Sequence, residues 1–236
     1  MDDARRRRYL EELGITPWVR RGPPVVESAP ELAPEPPPEL APESPVAEVA
    51  TLDWQALSQR VAECTACALY QGRTRTVFGV GDPAADWLVV GEAPGAEEDR
   101  QGEPFVGRAG QLLDAMLAAL GLARGQGVYI ANCIKCRPPD NRDPLPEERA
   151  ACAPWLARQI ALIRPRVILA VGRVAAQHLL ATETPLGKLR GQVHHWGAEA
   201  TPLVVTYHPA YLLRKPTEKA RAWEDLKRAR AVLGKG

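Results

Sequence analysis

Residues 87–113 read WLVVGEAPGAEEDRQGEPFVGRAGQLL, an apolar run that passes directly into a loop rich in glycine and carboxylates. Trp87 to Val90 has the continuous hydrophobicity of a strand buried on both faces of a parallel sheet. Gly91, Pro94 and Gly95 then force a tight turn at its carboxyl end, where open α/β sheets hold their ligands. Glu92 is thereby expected at a pocket. Phe105, one of 2 phenylalanines in the chain, follows in a polar, glycine-punctuated segment with no core periodicity, which suits a stacking platform.

The same pattern recurs outward from this stretch. Val128 to Ile130, Val167 to Val171 and Leu203 to Thr206 are short apolar runs, each followed at once by glycine or polar residues. Helical segments alternate with them: one beginning near Asp53, then Gly110 to Leu120, Pro146 to Ile163, Arg173 to Leu180 and a long C-terminal helix from about Thr217. This alternation predicts an α/β fold, with a central, mostly parallel four-stranded sheet between two layers of helices. In such a sheet the loops 91–95, 131–143, 172–174 and 207–215 gather along one edge.

The first 50 residues have another character. Nine prolines interleave with Glu and Ala between Gly22 and Val46, so residues 22–50 read as a disordered linker. Ahead of it, residues 3–13 suit a short helix with Tyr9, Leu10 and Leu13 on one side, and residues 1–21 read as a tethered docking peptide for a protein partner. The remainder, 51–236, reads as a catalytic domain.

Residues 1–50 carry 6 Arg against 10 acidic residues, while 51–236 carry 24 Lys plus Arg against 19. The domain is therefore mildly basic, which permits contact with a polyanion. No apolar run reaches membrane-spanning length, and the N-terminus has neither the apolar region nor the small-residue cleavage site of a secretory signal. A cytoplasmic protein is expected.

Five cysteines in a chain without secretory features point to metal or redox chemistry rather than disulfides. Cys64 and Cys67 form a CxxC, Cys136 and Cys152 lie far downstream, and Cys133 is left over. This spacing does not separate zinc, an iron–sulfur cluster and buried inert thiols. His208 stands between a strand and Pro209, which restricts its backbone and aims its ring at the shared edge; it suits donation to developing negative charge. Asn132 ends a strand at the same edge, offering a donor and an acceptor side by side. His178, His194 and His195 read as structural. Glu98 and Asp99 share the acidic loop with Glu92, and the sequence does not rank the three as activators of water.

These features together resemble the family 4 uracil-DNA glycosylases, the iron–sulfur branch of that superfamily. The motifs are GEAPGAEED with FVGRAGQLL after it, NCIKCRPP and HPAYLL, in this order, with the cysteines interspersed, and the likeness spans Leu52 to Leu233. It implies hydrolysis of the N-glycosidic bond of deoxyuridine in single- or double-stranded DNA, leaving an abasic site for base excision repair, by a monomeric, nucleoid-associated enzyme. It implies a 4Fe-4S cluster on Cys64, Cys67, Cys136 and Cys152. Glu92 would activate the attacking water and His208 would hydrogen-bond the uracil O2. Phe105 would stack on the base, Asn132 would read its Watson–Crick edge, and Gly91 and Ala93 would line the base pocket. Leu212 and Leu213 are candidates for the apolar wedge in the duplex, and Arg137, Arg214 and Lys215 for phosphate contacts. The branch that forms a covalent adduct does so through a histidine in an inserted loop; no such histidine lies between Asn132 and Pro146, so turnover is expected.

Two other classes compete: a non-catalytic iron–sulfur accessory protein that binds DNA, and an electron carrier. The first has no need of Glu92, Asn132 and His208 together. The second leaves Phe105 and His208 unexplained.

Overall fold

The computed structural model describes residues 2–14 and 45–234. The chain divides into two compact units, 1–42 and 43–236. In the first, helix α1 (Asp3–Glu12) matches the helix read from the sequence, with Asp2 capping its N-terminus and Tyr9 and Leu13 exposed. The rest of the docking peptide and most of the linker, residues 15–44, lie outside the described residues.

The second unit begins with α2 (Pro45–Thr51), inside the segment read as linker, so order starts earlier than composition suggests. Val49 is the reason: it is buried in an apolar cluster with Leu57, Val61, Leu69, Ile134 and Trp155. Helix α3 (Trp54–Ala62) follows, its first turn capped by the Asp53 carboxylate accepting from the Ala56 N–H at 2.8 Å. The chain then runs through β1 (Val80–Gly81), β2 (Trp87–Gly91), α4 (Ala96–Gln101), α5 (Arg108–Ala118) and β3 (Val128–Asn132). After these come α6 (Pro146–Ile163), β4 (Val167–Val171), α7 (Arg173–Leu179), α8 (Leu186–Leu189), β5 (Val193–Trp196), β6 (Thr201–Thr206), α9 (Pro209–Arg214) and α10 (Lys219–Leu233).

The sheet has 6 strands in the order β1-β3-β2-β4-β6-β5. Its inner four, β3, β2, β4 and β6, are parallel, as the sequence implies, and an antiparallel strand closes each edge. The two edge strands carry no clear sequence signal. β1 is 2 residues long, and β5 has alternating exposed and half-buried residues with two histidines among them.

Side chains of the inner strands alternate between two cores, as the period of a strand requires. Leu88, Val90, Tyr129, Ala131, Ile168 and Ala170 pack with Leu156 and Ile160 of α6 and with Ala175 and Leu179 of α7. Trp87, Val89, Val128, Ile130, Val167 and Leu169 face the other way, against Leu113 and Leu117 of α5 and Leu226 of α10. The result is the expected three-layer αβα fold, which brings the carboxyl ends of all four parallel strands to one edge.

Candidate active site

A cleft of about 560 Å³ opens at that edge and is lined by Glu92, Ala93, Phe105, Asn132 and His208, among others. Gly91 pairs with Asn132 in the sheet register, and its missing side chain is what lets the site assemble. A Cβ there would collide with Asn132 Oδ1 and lie 2.6 Å from Phe105 Cζ.

Phe105 is held in a left-handed backbone conformation, φ 56°, costly for a bulky residue and characteristic of sites built under strain. Arg124 fixes it by donating to the carbonyls of Pro104 at 2.7 Å and Phe105 at 2.8 Å while pairing with Asp114 at 3.0 Å. Gly110 completes the support, since any Cβ would overlap the Phe105 carbonyl. The Phe105 ring is buried and stacks with the His208 ring.

His208 caps α9: its Nδ1 accepts from the Ala210 N–H at 3.1 Å. That assigns the proton to Nε2, which is left to donate. Burial, with the Arg214 charge second, pushes the imidazole down to about 4, so the ring is neutral at physiological pH. Asn132 is 2 % exposed, and its Oδ1 has no hydrogen-bond partner among the protein's groups. An unsatisfied buried acceptor facing a cleft invites a ligand that brings a donor.

The three carboxylates of the acidic loop divide sharply. Asp99 is buried and accepts from the Thr74 N–H with both oxygens, at 2.9 and 3.0 Å. Glu98 accepts from the N–H groups of Gly95 at 3.1 Å, Val106 at 3.0 Å and Gly107 at 3.2 Å, which staples together the two ends of the segment that presents Phe105. Both are committed to holding the loop. Glu92 has a different environment: burial first, then the charge and hydrogen bond of Asp143, raise its carboxyl to about 7. Asp143 also pairs with Arg173.

Asp143, Asn141, Arg142 and Tyr211 line the cleft as well but were not among the residues singled out from the sequence. Asp143 and its neighbours lay only within the loop 131–143, in a stretch of polar residues that resembles any solvated turn. Their placement comes from Arg142, which forks onto the buried Glu148 at 2.6 and 2.8 Å, while Glu148 also accepts from the Leu145 N–H.

Two expectations for the HPAYLLRK segment part company. It forms the short helix α9 rather than a loop, and its two adjacent leucines differ in burial: Leu212 is 1 % exposed and Leu213 38 %. Leu212 belongs to the core and is removed from the wedge candidates. Leu213, Arg214 and Lys215 are exposed, and Arg214 reaches the cleft. Arg137 lies in a neighbouring depression with Pro139 and Arg142, its Nε donating to Asn141.

Cys64, Cys67, Cys136 and Cys152 line a second cavity, walled by Val61, Leu69 and Trp155. Among the described residues no His, Cys, Asp or Glu side chains are grouped closely enough to surround one metal ion. Four thiols gathered at one cavity are a donor set for a zinc ion or for an iron–sulfur cluster. Two sulfurs already receive hydrogen bonds of the kind that stabilises ligated thiolates: Arg73 Nη1 donates to Cys136 Sγ at 3.2 Å, and the Lys135 N–H to Cys152 Sγ at 3.3 Å. Cys133 lies instead in the sheet core, and its thiol is driven up to about 12 by burial.

His194 contacts the Leu189 carbonyl at 2.7 Å, a structural bond. No helix among the described residues is long and apolar enough to cross a membrane.

Comparison with known proteins places these features in context. The model of the Uracil DNA glycosylase superfamily matches residues 78–227. The chain is similar to the type-4 uracil-DNA glycosylase of Archaeoglobus fulgidus, 44% identical over 184 residues that cover 75% of this chain and 92% of the relative. It is similarly close to the type-4 uracil-DNA glycosylase of Thermotoga maritima, 43% identical over 186 residues covering 77% and 95%. A DNA polymerase of Bacillus phage SP01 is 28% identical over 156 residues, 66% of this chain and 16% of the polymerase.

Proposed function

From the premise that the chain belongs to the uracil DNA glycosylase superfamily, we propose that it excises uracil from DNA with Glu92 and His208 as its catalytic pair. The enzyme is a uracil-DNA glycosylase of DNA repair: it hydrolyses the N-glycosidic bond of deoxyuridine and leaves an abasic site. The observation that carries the assignment of residues is the single cleft lined by Glu92, Phe105, Asn132 and His208. DNA binding alone, as in an accessory protein, would require none of these four.

A base inside a duplex must leave the stack before its glycosidic bond can be reached, at a cost of a few kcal/mol that the pocket recovers by stacking and edge contacts. Phe105 supplies the stacking face, and the unsatisfied Oδ1 of Asn132 accepts from the N3–H of uracil. Ala93 lines the cleft beside them, and Gly91 lies buried behind, leaving room for both side chains. As the bond stretches, the sugar gains positive and the base negative charge. The neutral His208, with its proton on Nε2, donates to the uracil O2, where negative charge accumulates. Glu92, once ionised, orients the water on the sugar side and takes its proton. Asp143 beside it favours the proton on Glu92, and Arg173 offsets the negative charge of the pair. Leu213 serves as the wedge, with Arg137, Arg214 and Lys215 at phosphates.

The cysteine cavity fits a 4Fe-4S cluster held by Cys64, Cys67, Cys136 and Cys152. When bound, the cluster would supply iron–thiolate bonds that tie the start of the domain to the segment following β3 and to α6. The remaining assignments are that the protein acts as a cytoplasmic, nucleoid-associated monomer, and that residues 1–21 form a tethered peptide that docks a partner, presenting Tyr9 and Leu13 on α1.

The test is release of uracil from an oligonucleotide with a single deoxyuridine, for wild type, Glu92→Gln and His208→Ala. Each substitution should slow single-turnover release by 10² to 10³ while DNA binding persists. Unchanged rates in both variants would remove the catalytic pair.

A further inference from the structure

Lys135 takes no part in the chemistry described above, yet among the described residues it is the largest fully enclosed side chain, at 1 % exposed. Its ammonium donates to the Asn132 carbonyl at 3.0 Å and to Gln159 Oε1 at 2.6 Å. Gln159 is itself buried, and its amide donates to the Phe78 carbonyl at 2.9 Å, so this acceptor is fixed. The main chain of Lys135 is tied as well, its N–H to Cys152 Sγ and its carbonyl to the Val77 N–H at 2.8 Å. One residue thus reaches the cysteine cavity through its backbone and the base-reading end of β3 through its side chain.

A buried lysine head group costs stability unless its N–H groups find acceptors, and here it finds two, the Asn132 carbonyl and Gln159 Oε1. The carbonyl it grips belongs to the residue whose Oδ1 is left open to the cleft. A lysine that merely filled space would need neither relation.

We propose that Lys135 is a positioning residue for uracil recognition, pinning the main chain at Asn132 through the bond from its Nζ to the Asn132 carbonyl. The inference rests on the reading of Asn132 as the uracil reader.

Lys135→Met keeps most of the stem volume and removes the donor and the charge. The variant, wild type, Asn132→Ala and the Lys135→Met/Asn132→Ala double variant are compared for affinity to an uncleavable 2′-fluoro-deoxyuridine oligonucleotide and to the matching undamaged strand. Expected are a tenfold or greater loss of uracil preference in Lys135→Met, unchanged affinity for undamaged DNA, and no further loss in the double variant relative to Asn132→Ala. Lys135→Met/Gln159→Leu replaces the whole buried polar pair by apolar groups, a change that cores commonly tolerate, and serves where the single variant does not fold. Wild-type uracil preference in either folded, iron-replete variant overturns the positioning role.

Discussion

Phe105 and His208 stack with their ring centroids 5.6 Å apart and their planes 29° from parallel. The two residues come from opposite sides of the cleft's construction: one from a strained loop after α4, the other from the end of β6. The stacking wall and the hydrogen-bond donor of the site are therefore one mechanical unit. The imidazole rests on the Phe105 ring, so each ring helps fix the orientation of the other.

Phe105→Ala should remove a stacking surface worth about 1–3 kcal/mol per base and lower kcat/KM by tenfold or more, with little change in the affinity for undamaged DNA. Gly110→Ala, although outside the cleft, should do comparable damage because its Cβ would overlap the Phe105 carbonyl. Thermal unfolding should show both destabilised, Phe105→Ala by loss of a buried core ring and Gly110→Ala by about 1–3 kcal/mol or more of overpacking.

The rate should climb with pH through about 7, as Glu92 ionises, while His208, neutral above about 4, stays a donor throughout. Asp143→Asn removes the charge and hydrogen bond that help raise Glu92, so the midpoint of the single-turnover pH profile should move down. A profile that keeps its midpoint would separate Asp143 from Glu92.

Stability carries the opposite sign. A carboxyl raised above its ordinary 4.5 contributes stability that is full below that value and is lost as pH rises through about 7. Glu92→Gln should therefore melt above wild type at around pH 8, by roughly 2–4 °C for each kcal/mol relieved, with the gap closing near pH 5. A lower melting temperature at both pH values would contradict the burial argument.

Leu213→Ala should slow excision from duplex several-fold and leave single-stranded substrate almost untouched, because a wedge is needed only where a stack must be held open. Leu212→Ala should instead destabilise by about 2–5 kcal/mol as a core truncation. Equal effects on both substrates for Leu213→Ala would discard the wedge.

Removal of residues 1–42 should leave the melting temperature and activity of the remaining unit unchanged. Removal through Thr51 deletes the buried Val49 and the Glu48–Arg60 ion pair at 2.7 Å, and should cost about 1–3 kcal/mol. Matching melting curves for the two truncations would mean that α2 adds nothing to the fold.

The sheet was legible where hydrophobic pattern and chain punctuation coincide. The four parallel strands, the Asp53 cap and the span of α6 follow from runs of Val, Ile and Leu ended by Gly, Asp or Pro, which are local signals. The edge strands β1 and β5 were not legible, because their pairing depends on a neighbour rather than on their own composition. The short helix α9 was missed because Pro209 and two tyrosine-flanking residues read equally well as a loop.

The candidate site divides along the same line. Glu92, Asn132 and His208 stand at or just beyond the carboxyl ends of parallel strands, so the sequence determined that they share an edge. What only the tertiary structure decided is which carboxylate is free and which leucine is outside. Glu98 and Asp99 are consumed by backbone N–H groups, those of Thr74 among them, and Asp143 is brought to Glu92 by an anchor on α6. Such relations depend on burial and on partners distant along the chain. A charge pattern specifies that carboxylates are present, whereas the folded packing specifies which of them is desolvated enough to hold a proton near neutrality.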